Sequence, residues 1–278
     1  MTDFAVIQTR FETLPRPVLV QVLTTQGGLT HPDATQAIRR NQGILWEHFD
    51  REHADAVAAA LTGLGYGVLV VESDSIPDLQ EPRTVRWFEL DDEQIRIPQG
   101  IRGDTVPIPW PKVLVLSLGQ IAEVSKRATS DLPATSTSSS ATGAIARDNH
   151  THYTKHSTLV DVLDLIGIDE TGCIQYLRMP SHELSYGRIM GEGTRLTRFE
   201  RFLVIVEYCV THARDAIVSP ETRRVLVDRR PSGHESEGDG AEVIQEDVLN
   251  SRNRWLLLRA IHRDLAEDRS EGQAEFDE

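Results

Sequence analysis

Residues 44–72, running from Ile44 to Glu72, read ILWEHFDREHADAVAAALTGLGYGVLVVE, and this stretch decides how the first part of the chain folds. Ile44–Phe49 suits a pleated strand, and Val68-Leu69-Val70-Val71 is a dense apolar run of the length of a buried one. Between them Ala54, Val57, Ala58, Leu61 and Leu64 recur every three to four residues, which predicts a helix over Arg51–Leu64 with one apolar face. Asp50 stands before it as an acceptor for its first free amides, and Gly63 and Gly65 end it. Toward the N-terminus, Phe4–Thr9 alternates as a strand and Val18–Gln26, after Pro15 and Pro17, is a short helix. Pro32, with a φ that suits a first helical turn, opens a second helix to Arg40. The order is βααβαβ.

This order, the Gly28-Leu29 step before a helix carrying Ala34, and the closing Gly65-x-Gly67-Val68 strand resemble a small known fold. It is the fold shared by the C-terminal domain of the ribosomal stalk protein and the Clp protease adaptor, and the resemblance spans residues 3–72. It implies a compact interaction module. Neither family's binding residues carry over. The stalk domain meets translation GTPases through helix lysines, and residues 3–72 contain no lysine. The adaptor uses an acidic loop after its first strand and a Met/His helix, where this chain has Arg10-Phe11-Glu12-Thr13 and Ile38-Arg39-Arg40.

Beyond residue 72 the pattern changes. Residues 73–81 read as a polar linker punctuated by Pro77. Thr84–Leu90, Gln94–Pro98, and short runs around Pro107, Pro109 and Pro111 read as antiparallel strands, with the prolines at edges or bends. Trp110 among those prolines either packs in the core or is presented to a partner. Residues 126–156, rich in Ser and Thr, have little to bury and are expected to form a disordered insertion. Thr158–Ile166, Cys173–Met179 and Glu183–Ile189 resume the strand pattern. Thr197-Arg198-Phe199-Glu200 is a capping-box sequence that opens a helix rich in apolar residues. The expected fold class is therefore α+β. An N-terminal βααβαβ module (1–72) leads to an antiparallel β-rich domain (82–125 plus 157–230) with one closing helix, in a layout similar to a pleckstrin-homology-like barrel. Residues 231–278 form an acidic tail with a C-terminal helix.

The chain has 278 residues, with 29 Lys+Arg against 43 Asp+Glu, a net charge of −14 that argues against general nucleic-acid binding. Acidity concentrates at the two ends: 10 basic against 17 acidic residues in 1–125, 14 against 13 in 126–231, and 5 against 13 in 232–278. The first ten residues lack the charge and hydropathy pattern of a signal peptide, and no apolar run approaches the roughly 20 residues of a membrane span. Cys173 and Cys209 are too few for a disulfide framework and read as buried thiols of a cytoplasmic protein without membrane insertion.

Candidate chemistry is sparse. His150, His152 and His156 read as solvated histidines of the insertion, and His182-Glu183 as turn residues, so no metal is expected. Nor is a cofactor expected. The glycines at 63, 65 and 67 run from helix into strand, the wrong direction for a phosphate cradle. Asp161 and Asp164 would face opposite sides of one strand and cannot act as a pair. Arg188, Arg195, Arg198 and Arg201 cluster before and within a helix N-terminus, where positive charge is unfavourable with the helix dipole. They hold either an anion or the chain's own carboxylates. The last helix places Trp255, Leu258 and Ile261 among apolar residues on more than one face, and so requires a groove in its own domain or a partner chain. The expectation is a non-enzymatic adaptor or scaffold binding another protein, with no catalytic residues. The alternative is an enzyme or small-molecule binder in which the arginines hold a phosphate or carboxylate. A homodimer is a third arrangement open to the sequence.

Overall fold

The structure, a computed structural model, describes residues 2–40, 42–99, 104–129, 152–191, 195–229 and 246–262, with backbone alone at 40, 124–129 and 152–157. The first 72 residues follow the order β1 (Phe4–Gln8), α1 (Arg16–Thr25), α2 (His31–Arg40), β2 (Ile44–Phe49), α3 (Arg51–Gly63) and β3 (Val68–Glu72). Asp50 caps α3 as its position demands, its carboxylate accepting the His53 amide at 2.9 Å. The three strands form an antiparallel sheet in the order β2-β1-β3. Alternation sends Val6, Leu45, Val68 and Val70 against the three helices, and Ala5, Ile7, Ile44, Leu69 and Val71 to the opposite face.

The second half is built on β8 (Val113–Thr129) and β9 (His152–Ile168), which follow β4 (Arg83–Thr84), β5 (Glu89–Leu90), β6 (Gln94–Gln99) and β7 (Asp104–Pro109). With β10 (Ile174–Pro180) and β11 (Ile217–Val218) they make a five-stranded sheet ordered β11-β8-β9-β10-β4 and a three-stranded one ordered β5-β6-β7. Its pairings are antiparallel except at the edges, where β11 joins β8 and β4 joins β10 in parallel. The β8–β9 ladder runs to Thr129 opposite His152, so both ends of the stretch expected as an insertion are paired backbone. Residues 130–151, His150 among them, lie outside the described residues.

One face of the large sheet, carrying Leu116, Leu118, Leu163, Leu165, Leu177 and Met179, packs under α5 (Arg198–His212) and the small sheet. The expected capping box is present: Thr197 Oγ1 accepts the Glu200 amide at 3.2 Å, and Glu200 Oε2 accepts the Thr197 amide at 2.7 Å. Trp110 is core, its indole donating to the Asp91 carbonyl at 2.7 Å. A further helix, α6 (Pro220–Asp228), follows the Ser219-Pro220 start signal. Glu183–Ile189 is not a strand. Pro180 accepts the Glu183 amide, Ser181 accepts the Tyr186 hydroxyl, and α4 (Tyr186–Met190) turns helically from Ser185. Burial of Leu184 and Tyr186 produced the strand-like alternation. Cys209 is buried as expected, but Cys173 is exposed, because Asp169 Oδ1 accepts the Thr171 and Cys173 amides and turns that backbone outward.

The other face of the large sheet meets α7 (Glu246–Ile261), the last helix. Trp255, Leu256, Leu257 and Leu258 form one cluster with Ala5, Ile7 and Ile44 of the N-terminal sheet and Val115, Ile166 and Tyr176 of the large sheet. The helix is thus a layer between two sheets, and its apolar residues surround its axis because both sides are covered. Two glycines open the space. A Cβ on Gly43, whose φ is +91°, would lie 1.9 Å from the Trp255 ring, and one on Gly119 would lie 2.9 Å from Leu249. Residues 73–81 are drawn into this contact, with Ile76 buried and Leu79 packed alongside.

Candidate functional site

The charged groups on α7 divide into an inner set that fastens the helix and an outer one that borders a cleft. Inside, Asp164 and Arg178 are fully or nearly fully buried and face α7 from β9 and β10. Arg178 donates from Nε to Asp164 Oδ1 at 2.8 Å and from Nη2 to Oδ2 at 2.7 Å, a bidentate pair. Asn253 Nδ2 donates to the same Oδ2 at 2.7 Å, Asn250 accepts from Arg178 at 2.8 Å, and Glu246 pairs with Arg178 Nη1. Burial drives the Tyr176 hydroxyl pKa upward, and the Asp164 charge adds to it, so the phenol stays protonated as a donor within the network. Further along, Arg252 donates to Ser117 Oγ at 3.2 Å and the Leu118 carbonyl at 2.9 Å, and pairs with Glu221 at 3.0 Å.

On the outer side, Arg254 leaves α7 toward the N-terminal sheet. Its Nη1 meets Glu47 Oε1 at 2.7 Å and its Nε donates to the Pro77 carbonyl at 2.9 Å. It forms one wall of a cleft of about 690 Å³ lined also by Asp3, Glu47, His48, Ser73, Ile76, Asp74 and Asp78. A bulge builds this cleft. Phe4 pairs with Phe49 and Val6 with Trp46, so Glu47 and His48 together oppose Ala5. In a regular strand adjacent side chains face opposite ways, whereas here both reach the cleft. His48 takes a left-handed φ of 68°, a conformation that costs a non-glycine residue about 1–2 kcal/mol. Its Nδ1 lies 3.3 Å from Asp3 Oδ2, and the Asp3 carbonyl accepts the Ser73 amide at 2.9 Å, tying the start of β1 to the end of β3.

The electrostatics are one-sided. Asp3, Glu47, Asp74 and Asp78 oppose the single arginine Arg254, and Asp74 and Asp78 are exposed without an ion-pair partner among the described residues. The carboxylates are also spread apart. Among the described residues the set of three His, Cys, Asp or Glu side chains drawn together within 4.8 Å lies elsewhere, at Glu123, His182 and Glu183. The cleft therefore offers an extended negative surface to a cation and not a compact coordination cage.

None of the residues singled out in the sequence borders this cleft. Arg188 stacks over the Trp87 ring, 3.4 Å from its centroid, and Arg195 is exposed. Arg201 turns its Nε back to the Leu196 carbonyl at 3.0 Å. Arg198 and Arg201 share the surroundings of Tyr186, where burial raises the phenol pKa and the two guanidiniums act against it. The helix amides that an anion would use at Thr197 and Glu200 are already taken by the capping box. Asp164 is claimed by Arg178, and Asp161, on the opposite face, accepts from Gln120 at 2.9 Å. Of the two coverings open to Trp255, Leu258 and Ile261, the structure has the chain's own groove and not a partner face for the first two: both are interior, with the Trp255 indole donating to the Gln8 carbonyl at 2.8 Å, whereas Ile261 is exposed. The cleft residues carried one signal in the sequence, the adjacent polar pair Glu47-His48 that interrupts a strand and marks a bulge.

No helix among the described residues is long and apolar enough to cross a membrane. Comparison of the chain with protein-family models, curated proteins and solved structures returns no match.

Proposed function

We propose that this protein is a non-enzymatic adaptor that holds a lysine- or arginine-bearing segment of a partner protein in the acidic cleft. The observation that carries the reading is the cleft itself: about 690 Å³, with four carboxylates against one arginine. Two supports come from its construction. The bulge at Glu47-His48 turns two neighbouring side chains into one space, and Arg254 braces that wall from α7. The wall is thus set before a partner arrives, which lowers the ordering cost of binding. The spacing of the acids suits several cationic groups along a chain better than one ion.

The test is fluorescence anisotropy of labelled basic peptides with the full chain. Binding is expected to weaken as salt rises, since the groups involved are exposed. Replacing Asp74 and Asp78 together by Asn removes two exposed charges, and is expected to weaken binding about threefold to tenfold. Spermidine serves as a control, because a small polyamine that binds as tightly as the best peptide would refute the peptide reading. So would peptide binding that Asp74→Asn with Asp78→Asn leaves unchanged.

A further inference from the structure

At the opposite end of the molecule's chemistry lies the turn after β10. Ser181 donates its amide to the Asp161 carbonyl at 2.8 Å, Glu183 to the Pro180 carbonyl at 3.1 Å, and Ser185 to the Arg86 carbonyl at 2.8 Å. The Tyr186 hydroxyl closes the turn on the Ser181 carbonyl at 2.6 Å. Four hydrogen bonds thus hold His182 and Glu183 on a set backbone, beside Glu123 of β8.

We propose that Glu123, His182 and Glu183 form a zinc(II) site. His182 Nε2 lies 3.2 Å from Glu123 Oε2 and 3.9 Å from Glu183 Oε1. Tetrahedral zinc with nitrogen and oxygen bonds of about 2.0–2.2 Å has ligand-to-ligand edges of about 3.3–3.5 Å. The His182–Glu123 pair therefore stands about one coordination edge apart, the His182–Glu183 pair must close by about 0.5 Å, and all three donors lie within 4.8 Å of one another. One borderline imidazole nitrogen and two hard carboxylate oxygens are donors that zinc, itself a borderline cation, accepts, and two carboxylates balance its charge. The three side chains are 36%, 39% and 27% exposed for His182, Glu123 and Glu183, so an ion has an entry path and a fourth position open to water.

A separate group orients the ligands. Arg86 Nε donates to Glu183 Oε2 at 2.6 Å, which leaves Oε1 as the oxygen turned to His182. Outer contacts of this type set the direction of a coordinating carboxylate, and their loss costs about tenfold to a hundredfold in metal affinity. Arg86 also prevents the full charge of two carboxylates from pressing on each other before the ion binds.

The experiment uses the full chain, stripped with chelator and titrated with zinc(II) against a chromophoric competitor. One ion bound per chain through this site is expected. His182→Ala is expected to weaken that binding at least about a hundredfold, and Arg86→Ala about tenfold. Circular dichroism of each variant without metal checks that it is folded. His150, His152 and His156 are the most closely spaced of the other histidines, and their triple alanine variant is expected to keep the site. Cobalt(II) gives a second readout, a visible band of tetrahedral intensity that His182→Ala abolishes and Glu123→Gln shifts. The proposal is overturned if the wild-type chain binds no zinc, or if binding survives His182→Ala and disappears in the triple variant.

Discussion

Replacing Arg178 by Met tests whether the buried network is what fastens α7. The Arg178 side chain is 3% exposed and Asp164 is fully buried, so the substitution strands a carboxylate away from water. Two of the hydrogen bonds to that carboxylate go with the guanidinium, and those from Tyr176 and Asn253 remain. Removing one partner of a buried ion pair costs about 3–5 kcal/mol, against a total stability of about 5–15 kcal/mol. Adding Asp164→Leu removes the stranded charge; the other charged partner of Arg178, Glu246, is 60% exposed and can return to water, and Asn250 keeps the Tyr176 hydroxyl as a donor. The double variant is therefore expected to recover most of the loss. Urea unfolding followed by far-UV circular dichroism measures both, and hydrogen exchange across Glu246–Ile261 localises the effect. At about 1.4 kcal/mol per factor of ten, the single variant should speed exchange of the α7 amides about a hundredfold or more. A loss below about 1 kcal/mol for Arg178→Met, or a double variant no more stable than the single, would show that the buried pair does not fasten α7.

Further outcomes follow from single residues. Gly43→Ala combines a left-handed φ with a Cβ in the Trp255 ring, and is expected to cost about 2–5 kcal/mol; a melting temperature within a degree of wild type would remove Gly43 from the account of α7 packing. Burial raises the Asp161 pKa while the Gln120 hydrogen bond works the other way, so the folded state keeps this proton to higher pH than the unfolded chain and loses stability as pH rises through that window. Asp161→Asn, which retains an acceptor for Gln120, should melt higher than wild type at pH 7, by about 2–4 °C for each kcal/mol relieved, with the gain fading as pH falls below the ordinary carboxylate range. Burial pushes the Cys209 thiol up to about 12, whereas Cys173 is exposed. A thiol reagent should therefore label Cys173 alone in the folded chain and both cysteines in denaturant, and labelling of folded Cys173→Ser would contradict the burial of Cys209.

Much of the chain's architecture is legible in local pattern. The βααβαβ order of residues 1–72, the Asp50 cap, the Thr197-Glu200 capping box and the apolar run of the last helix are all short-range chemistry, and the α+β class follows from them. Periodicity fails where contacts alone create it. Leu184 and Tyr186 alternate like strand residues because both reach the core from a turn and a short helix. The cleft was hidden for a related reason: Asp3, His48, Asp78 and Arg254 are far apart in sequence and share a space only through a bulge and a docked helix.

The last helix marks the division most sharply. Its sequence alone states that apolar residues circle the axis and that something must cover both sides. Which surface does so was open between a groove and a partner chain. The tertiary structure decides it, seating Trp255 on Gly43, in the bend that leads into β2 of one sheet, and Leu249 on Gly119 of the other. Hydrophobic pattern records how much of a helix must leave water, but the identity of the covering surface is a matter of shape and of buried charge pairs such as Asp164 and Arg178, which only contacts distant in sequence can supply.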